Sequence, residues 1–501
     1  MQARRIHHIH HPHAHGRNLN MVEGPLLGKV LIFALPLMLT NLLQTFYSAA
    51  DMMVVSLSPE ANAVGAIGTT GAMINLILNI FIGLSVGTNV VVARRLGAGD
   101  REGTSRAVHT ALIVSVVFGL IDMAVGLTVS RPLLIWMGAQ ESVLDLAVLY
   151  TKIYFLGLPF ISLTNFLISI FRAKGDTQTP LFVLTATGLL NVGLNLFFVL
   201  VVRLSVEGVA IATMVANAAS AVILLVRLGM DSGFCRFSFR RLRFDKTAFR
   251  DMVFIGLPAG AQGALFSLSN MIILSSILKV NNATVPPGET FQPVVNGNAA
   301  GANLEGFVYT ATNSIYQAAI TFTSQNVGAG KYRRVWRVMG TCYLVTTVVA
   351  FLFGGATLLF HAPLLSLYGI HRGEPGSLTR MAYDAAYTRL TYMLSVYFLL
   401  STMEVGSGIL RGLGRSLTST LVSLVGSCLL RIVWIATVFE AHQTLGSIYI
   451  SYPISWGLTA LAHFTCAVIV LKSRIRKQKA EAQSAGPEPN PEEPAAETVS
   501  Q

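Results

Sequence analysis

Apolar runs of about 20 residues or more recur along nearly the whole chain, each long enough to cross a bilayer core as a helix. A membrane-spanning barrel would show shorter, alternating segments separated by turns, and these are absent. Composition agrees. Of 501 residues, 53% are hydrophobic and 12% charged, with mean hydropathy +0.60; a soluble domain carries about twice that charged fraction. The expected fold is an all-α polytopic membrane protein. Twelve spans are expected, near 29–56, 64–93, 107–129, 143–171, 178–202, 206–228, 249–278, 303–327, 335–360, 380–410, 416–440 and 446–471. The first is too long for a cleaved signal segment. Cys235, Cys342, Cys428 and Cys466 have no close spacing and read as ordinary thiols.

The formal net charge of +12 is explained by the membrane and not by nucleic acid, because Lys and Arg collect on the cytoplasmic side. With both termini cytoplasmic, 28 of the 36 Lys and Arg fall inside. Five fall outside (Arg131, Arg203, Lys279, Arg372, Arg380) and three within spans (Lys152, Arg389, Arg431). The expected organisation is a His-rich tail (1–24), a first lobe of six spans (25–228), a basic linker (229–248), a second lobe (249–472) and a disordered Pro/Glu-rich tail (473–501). The first tail holds six of the eleven histidines and reads as a solvated segment; no metal site is assigned with certainty. The linker, with FCRFSFRRLRFDK, could meet anionic lipid headgroups, although a charged connector suffices to explain it. The stretch 279–302 reads as a long outer loop.

The two halves repeat each other. FALP at 33–36 returns as IGLP at 255–258, RRLGAGDRE at 94–102 as QNVGAGKYR at 325–333, and FRAKGDTQT at 171–179 as LRGLGRSLT at 410–418. An even number of spans per half brings both halves in from the same side. The expectation is two parallel-repeat six-helix lobes around a central cavity, an arrangement suited to alternating access.

These residues resemble the MATE family, the multidrug and toxic compound extrusion transporters, over about residues 25–472. The likeness rests on ALPLMLTNLLQTFYSAADMMVV, RRLGAGD and FRAKGDTQTPL in the first half. In the second it rests on GANLEGFVYTATNSIYQAAITFTSQNVGAGKYRRV, GILRGLGRSLTSTLVSLVGSCLLRIVWI and ISYPISW, which look most like the DinF-like and MepA-like bacterial branch. The resemblance implies cation-coupled antiport of lipophilic, often cationic compounds across a bacterial plasma membrane.

A carboxylate at mid-membrane costs roughly 3 kcal/mol or more, so Asp51 is expected to face a polar interior. Gln44, Tyr47 and Asp51 share one helix face, at spacings i, i+3 and i+7. Pro36, 15 residues before Asp51, can bend the first span. The resemblance gives Gln44, Tyr47 and Asp51 a binding and proton-linked role. Candidate partners in the same lobe are Asn165, Asn191, Asn195 and Thr213. The family often has Asp where Asn195 stands, so a two-carboxylate relay is not expected and Asp51 is the main acceptor. Asp122 reads as structural or locally solvated.

In the second lobe the repeat equates Glu404 with Asn165, Arg431 with Asn191 and, approximately, Asn270 with Asp51. Glu404 and Arg431, on consecutive spans, are expected to pair, because an unpaired buried charge is costly. Glu305, Tyr309, Thr312 and Tyr316 share a face of an unusually polar span, with Glu305 near its outer, solvated end.

The expected function is H+- or Na+-coupled export of small organic, cationic amphipathic compounds, by a monomer in the lipid bilayer, with no cofactor and no nucleic-acid partner. A lipid or lipid-linked-sugar flippase and a non-transporting receptor remain alternatives. No Walker A, HExxH or nucleophile motif points to an enzyme.

Overall fold

The computed structural model describes residues 19–58, 60, 63–136, 141–286 and 291–484. The histidine-rich stretch and the last Pro/Glu-rich residues lie outside them. The first half contains α1 (Leu26–Val55), α2 (Ala63–Gly97), α3 (Arg101–Trp136), α4 (Glu141–Leu156), α5 (Leu158–Ala173), α6 (Gln178–Leu196) and α7 (Val206–Gly229). The second contains α8 (Lys246–Thr284), α9 (Pro293–Gly328), α10 (Tyr332–Leu359), α11 (His361–Ser366), α12 (Leu378–Leu394), α13 (Tyr397–Gly412), α14 (Ser416–Ser423), α15 (Leu430–Trp434), α16 (Leu445–Tyr449) and α17 (Ser451–Ser484).

Nine helices among the described residues are long and apolar enough to span a membrane, and two bent pairs bring the number to eleven. The remaining passage is α9, which carries so many Asn, Thr, Gln and Tyr that it falls short on apolarity. The twelve expected spans are thereby accounted for. The bent pairs are α4–α5 at 50° and α12–α13 at 52°. They are the fourth span of each half, so the repeat extends to the bends. Gly157 and Pro159 interrupt the ladder in the first pair. The second breaks at Ser395–Val396 without proline.

Three boundaries differ from expectation. The stretch 279–302, expected as a long outer loop, is helical up to Thr284 and again from Pro293, whose missing N–H costs nothing at a helix start. The stretch 473–484 is helical and not disordered, since α17 continues past the apolar segment to Ser484. Residues 19–24 are not a free tail. Met21 is fully buried, Asn326 donates to its carbonyl at 3.2 Å, and Arg334 donates to the carbonyls of Glu23 and Gly24 at 2.9 and 2.8 Å.

The GAG turns reach the same backbone in both halves, with Gly99 and Gly330 each at φ +69°, a left-handed conformation that suits glycine. At this end the halves share hydrophobic clusters. One joins α2, α3, α5 and α7 to α8 and α9; another joins the first half of α1 to α9, α10 and α13. At the opposite end each half has its own cluster. The shared seam is backbone against backbone: a Cβ on Gly83 would stand 2.3 Å from the Gly260 nitrogen and 2.5 Å from the Gly256 oxygen. Gly83→Val is therefore expected to force the seam apart. Spin labels at positions 101 and 331 should report a longer distance than in the parent; an unchanged distance would show that the seam accepts a side chain.

The linker is pinned to the first half. Buried His109 donates from Nδ1 to the Ser105 carbonyl at 2.7 Å and accepts at Nε2 from the Ser238 N–H at 3.1 Å. Asp245 donates its N–H to Thr110 Oγ1 at 2.9 Å and caps α8 by accepting from the Ala248 N–H at 2.9 Å. That hydrogen bond, helped by Arg95 and Arg106 against partial burial, holds its carboxyl below the usual 3.8. A depressed carboxyl stabilises the fold above its unfolded value and loses that contribution as pH falls through the folded one. Asp245→Ala should cost about 1 kcal/mol at pH 7. The difference in melting temperature from the parent should shrink below pH 3.8.

Candidate functional site: a carboxylate in one lobe, guanidinium groups in the other

Asp51 lies on the last two turns of α1, half-buried against α6. Asn195 Nδ2 donates to its Oδ1 at 2.5 Å. With the Asn191 amide turned so that its nitrogen faces the carboxylate, Asn191 donates to the same oxygen at 2.8 Å and accepts from the Thr213 N–H at 3.2 Å. The i, i+4 spacing on α6 thus places two amides beside one carboxylate. The helix continues directly into a π-helical turn at Phe197–Val201, the kind of widening that often accompanies functional sites. No Lys or Arg among the described residues lies within ion-pair distance of Asp51. Asn195 Oδ1 is buried without a partner among the described residues.

The other expected members are dispersed. The Tyr47 hydroxyl donates to the Thr185 carbonyl at 3.2 Å and ties α1 to α6. Gln44 is exposed on α1. Asn165 donates to the Ile161 carbonyl one turn back, at 2.9 Å. Pro36 sits inside α1, where Thr40 Oγ1 donates to its carbonyl at 2.8 Å. Asp122 is half-buried, with Oδ2 unpartnered among the described residues. Two residues that the sequence reading missed, Tyr150 and Tyr154 of α4, stand close enough to Asp51 to feel its charge. Their spacing looked like ordinary apolar packing.

In the second half the expected Glu404–Arg431 pair is not formed. Glu404 lies nearer Arg411 and Tyr309. Arg411 in turn donates to Tyr316 Oη and, at 2.9 Å, to Gln262 Oε1. Arg431 donates from Nε to Ser455 Oγ at 2.9 Å and stacks over Tyr452, 4.1 Å from the ring centre. Its α-helical turn lies between two π-helical segments, Leu424–Leu429 and Ile435–Phe439. Glu305 is not solvated either. Its Oε2 receives Arg389 Nη2 at 2.6 Å and Nε at 3.1 Å. Its side chain is only 12% exposed. Asn298 Oδ1 accepts from Arg389 Nη1 and from Tyr449 Oη, both at 2.9 Å. Asn270 is exposed on α8, and Tyr309 is partly exposed, its hydroxyl accepting from Asn313 at 3.2 Å. The cluster of Glu305, Arg389 and Arg431 therefore carries one excess positive charge.

A duplicated twelve-passage helical bundle, with ionisable and amide groups gathered inside each half, defines a polytopic membrane transporter. The chain belongs to the MatE family, whose profile matches residues 36–197 and 292–437. Among its relatives is the "Probable multidrug resistance protein YoeA" of Bacillus subtilis (strain 168), 24% identical over 86% of this chain and 91% of the relative. Another is the "FAD transporter" of Shewanella oneidensis, 25% identical over 68% and 74%. A solved outward-facing multidrug resistance MATE family transporter superposes with TM-score 0.80 at 20% identity, covering 91% of this chain and 98% of that one. A MOP superfamily transporter from Pyrococcus furiosus, described as having a binding pocket of reverse polarity, superposes with TM-score 0.81 at 20% identity over the same shares. At this identity the structural likeness speaks to the fold.

Proposed function

We propose that the chain is a cation-coupled antiporter that exports lipophilic organic cations from a bacterial cell. The observation that carries this reading is Asp51: a half-buried carboxylate held by Asn191 and Asn195 with no basic partner among the described residues. Such a group can take up a proton or, with the unpartnered Asn195 oxygen, offer hard oxygen ligands to Na+. A cationic substrate competes for the same negative charge. Entry of the coupling ion from outside then favours substrate release, and the two lobes, 25–228 and 249–472, rock about the seam. The basic turns and linker support a cytoplasmic GAG end and cytoplasmic termini. With its hydrophobic clusters joined at the GAG end only, this conformation opens toward the outside. The names of the multidrug relatives support the substrate class.

The test is efflux of a cationic dye from proteoliposomes under separately imposed pH and Na+ gradients. Efflux driven by either gradient and dependent on Asp51 supports the reading. Equal flux with no gradient refutes the coupling.

The excess positive charge at Arg431 favours a second reading, transport of an amphiphile bearing an anionic group, for which the relative named an FAD transporter is a precedent. Efflux of an anionic but not a cationic dye would select it.

A further inference from the structure

We infer that the linker between the halves, together with the end of α7, forms a binding site for a single anionic phospholipid. Six arginines, Arg101, Arg106, Arg236, Arg240, Arg241 and Arg243, line one cavity of about 670 Å³, with Glu102 as the one acidic side chain on its wall. Glu102 stands 3.8 Å from Arg106 and neutralises part of that charge. The cavity keeps a large positive excess, as a phosphodiester headgroup requires.

Beside it runs an apolar groove of about 600 Å³, walled by Val222, Leu225 and Val226 of α7 and by Phe237 and Phe239 of the linker. Ser238 and Arg240 line both spaces, so the two adjoin. Val222 and Val226 are 58% and 55% exposed on a membrane-spanning helix, and Phe239, beyond its end, is 78% exposed. A groove of that kind at the end of a span is filled by an acyl chain. Charge on one side and apolar surface on the other match one molecule with both parts. A soluble phosphate would use only the first.

The site is built and not a loose basic tail. The His109–Ser238 and Thr110–Asp245 hydrogen bonds fix the linker on α3, so the arginines of α3 and of the linker face one space. Because Asp245 also caps α8, the lipid would hold the connector where the second half begins.

The experiment uses the full chain, purified and freed of lipid in a neutral detergent. Phosphatidylglycerol, phosphatidylcholine and inorganic phosphate are added separately, and bound lipid and melting temperature are read by native mass spectrometry and thermal unfolding. Phosphatidylglycerol should be retained as a single adduct and raise the melting temperature; the other two should not. The combined Arg236→Gln, Arg240→Gln, Arg241→Gln and Arg243→Gln variant should bind it about tenfold or more weakly. Val226→Ser, which leaves the charge intact, should weaken the lipid but not the fold. Equal retention of phosphatidylcholine, equal binding by the quadruple variant, or full reproduction of the shift by inorganic phosphate would each overturn the proposal.

Discussion

Asp51→Asn is expected to insert, fold and lose gradient-driven efflux. The substitution is nearly isosteric. Its amide oxygen can still accept from Asn195 or Asn191, so α1 and α6 stay joined, and the Tyr47 bond to the Thr185 carbonyl is untouched. What disappears is the negative charge and the ability to hold a proton or Na+. One charge moved through 100 mV supplies roughly 2.3 kcal/mol, enough for about a fifty-fold concentration ratio. The parent should build a ratio of that order in vesicles, and the variant should settle near unity with an unchanged melting temperature. Full accumulation by the variant would remove Asp51 from the coupling step. Asn195→Ala gives the companion result: coupling weakened but retained, because Asn191 still holds the carboxylate.

Glu305→Gln is expected to be the most destabilising conservative change in the second half. It removes the only carboxylate paired with Arg389 among the described residues and leaves two guanidinium groups, Arg389 and Arg431, inside a membrane-spanning bundle. Breaking a buried ion pair from one side costs about 3–5 kcal/mol, because the remaining charge keeps its desolvation penalty. The double variant Glu305→Gln, Arg389→Met should recover much of that loss. Thermal or denaturant unfolding in detergent reads both. Near-parent stability of Glu305→Gln would mean that Asn298, Tyr449 and Tyr452 suffice to hold Arg389.

Hydropathy and internal repetition made the spans and the GAG turns legible, and the i, i+4 spacing put Asn191 and Asn195 on one face of their span; that this face meets Asp51 is set by the packing of α6 on α1. The charges of the second half were not legible in the same way. Which carboxylate meets which guanidinium depends on the depth and rotation of different helices. Glu305 and Arg389 are 84 residues apart, on α9 and α12, and only packing brings them together. Order along the chain pairs Glu404 with Arg431, on consecutive spans, but Arg431 turns to Ser455 and the Tyr452 ring. The π-helical turns are equally silent in sequence, because one extra residue per turn leaves an apolar run apolar. They rotate the faces beyond them, which weakens any assignment of facing residues carried across. Tyr150 and Tyr154 escaped notice because an aromatic pair on an apolar helix has the same pattern whether it meets lipid, core or a carboxylate.

The packing of α1 has a mechanical consequence. Its first turns, with Val30, Phe33, Ala34 and Leu37, are embedded among residues of α9, α10 and α13, and Phe33 meets Phe322 edge-on at 5.7 Å. Its last turns, with Tyr47 and Asp51, are fastened to α6. One helix is thus clamped at both ends by bodies that, in the proposed cycle, turn against each other. A stiff rod held that way must flex or tear loose at one clamp. Pro36 lies at the edge of the first clamp, beside Leu37, and there the helical ladder lacks a donor. In that cycle a change of charge at Asp51 would reach this joint as torque, with a single continuous helix as the crankshaft between ion and seam.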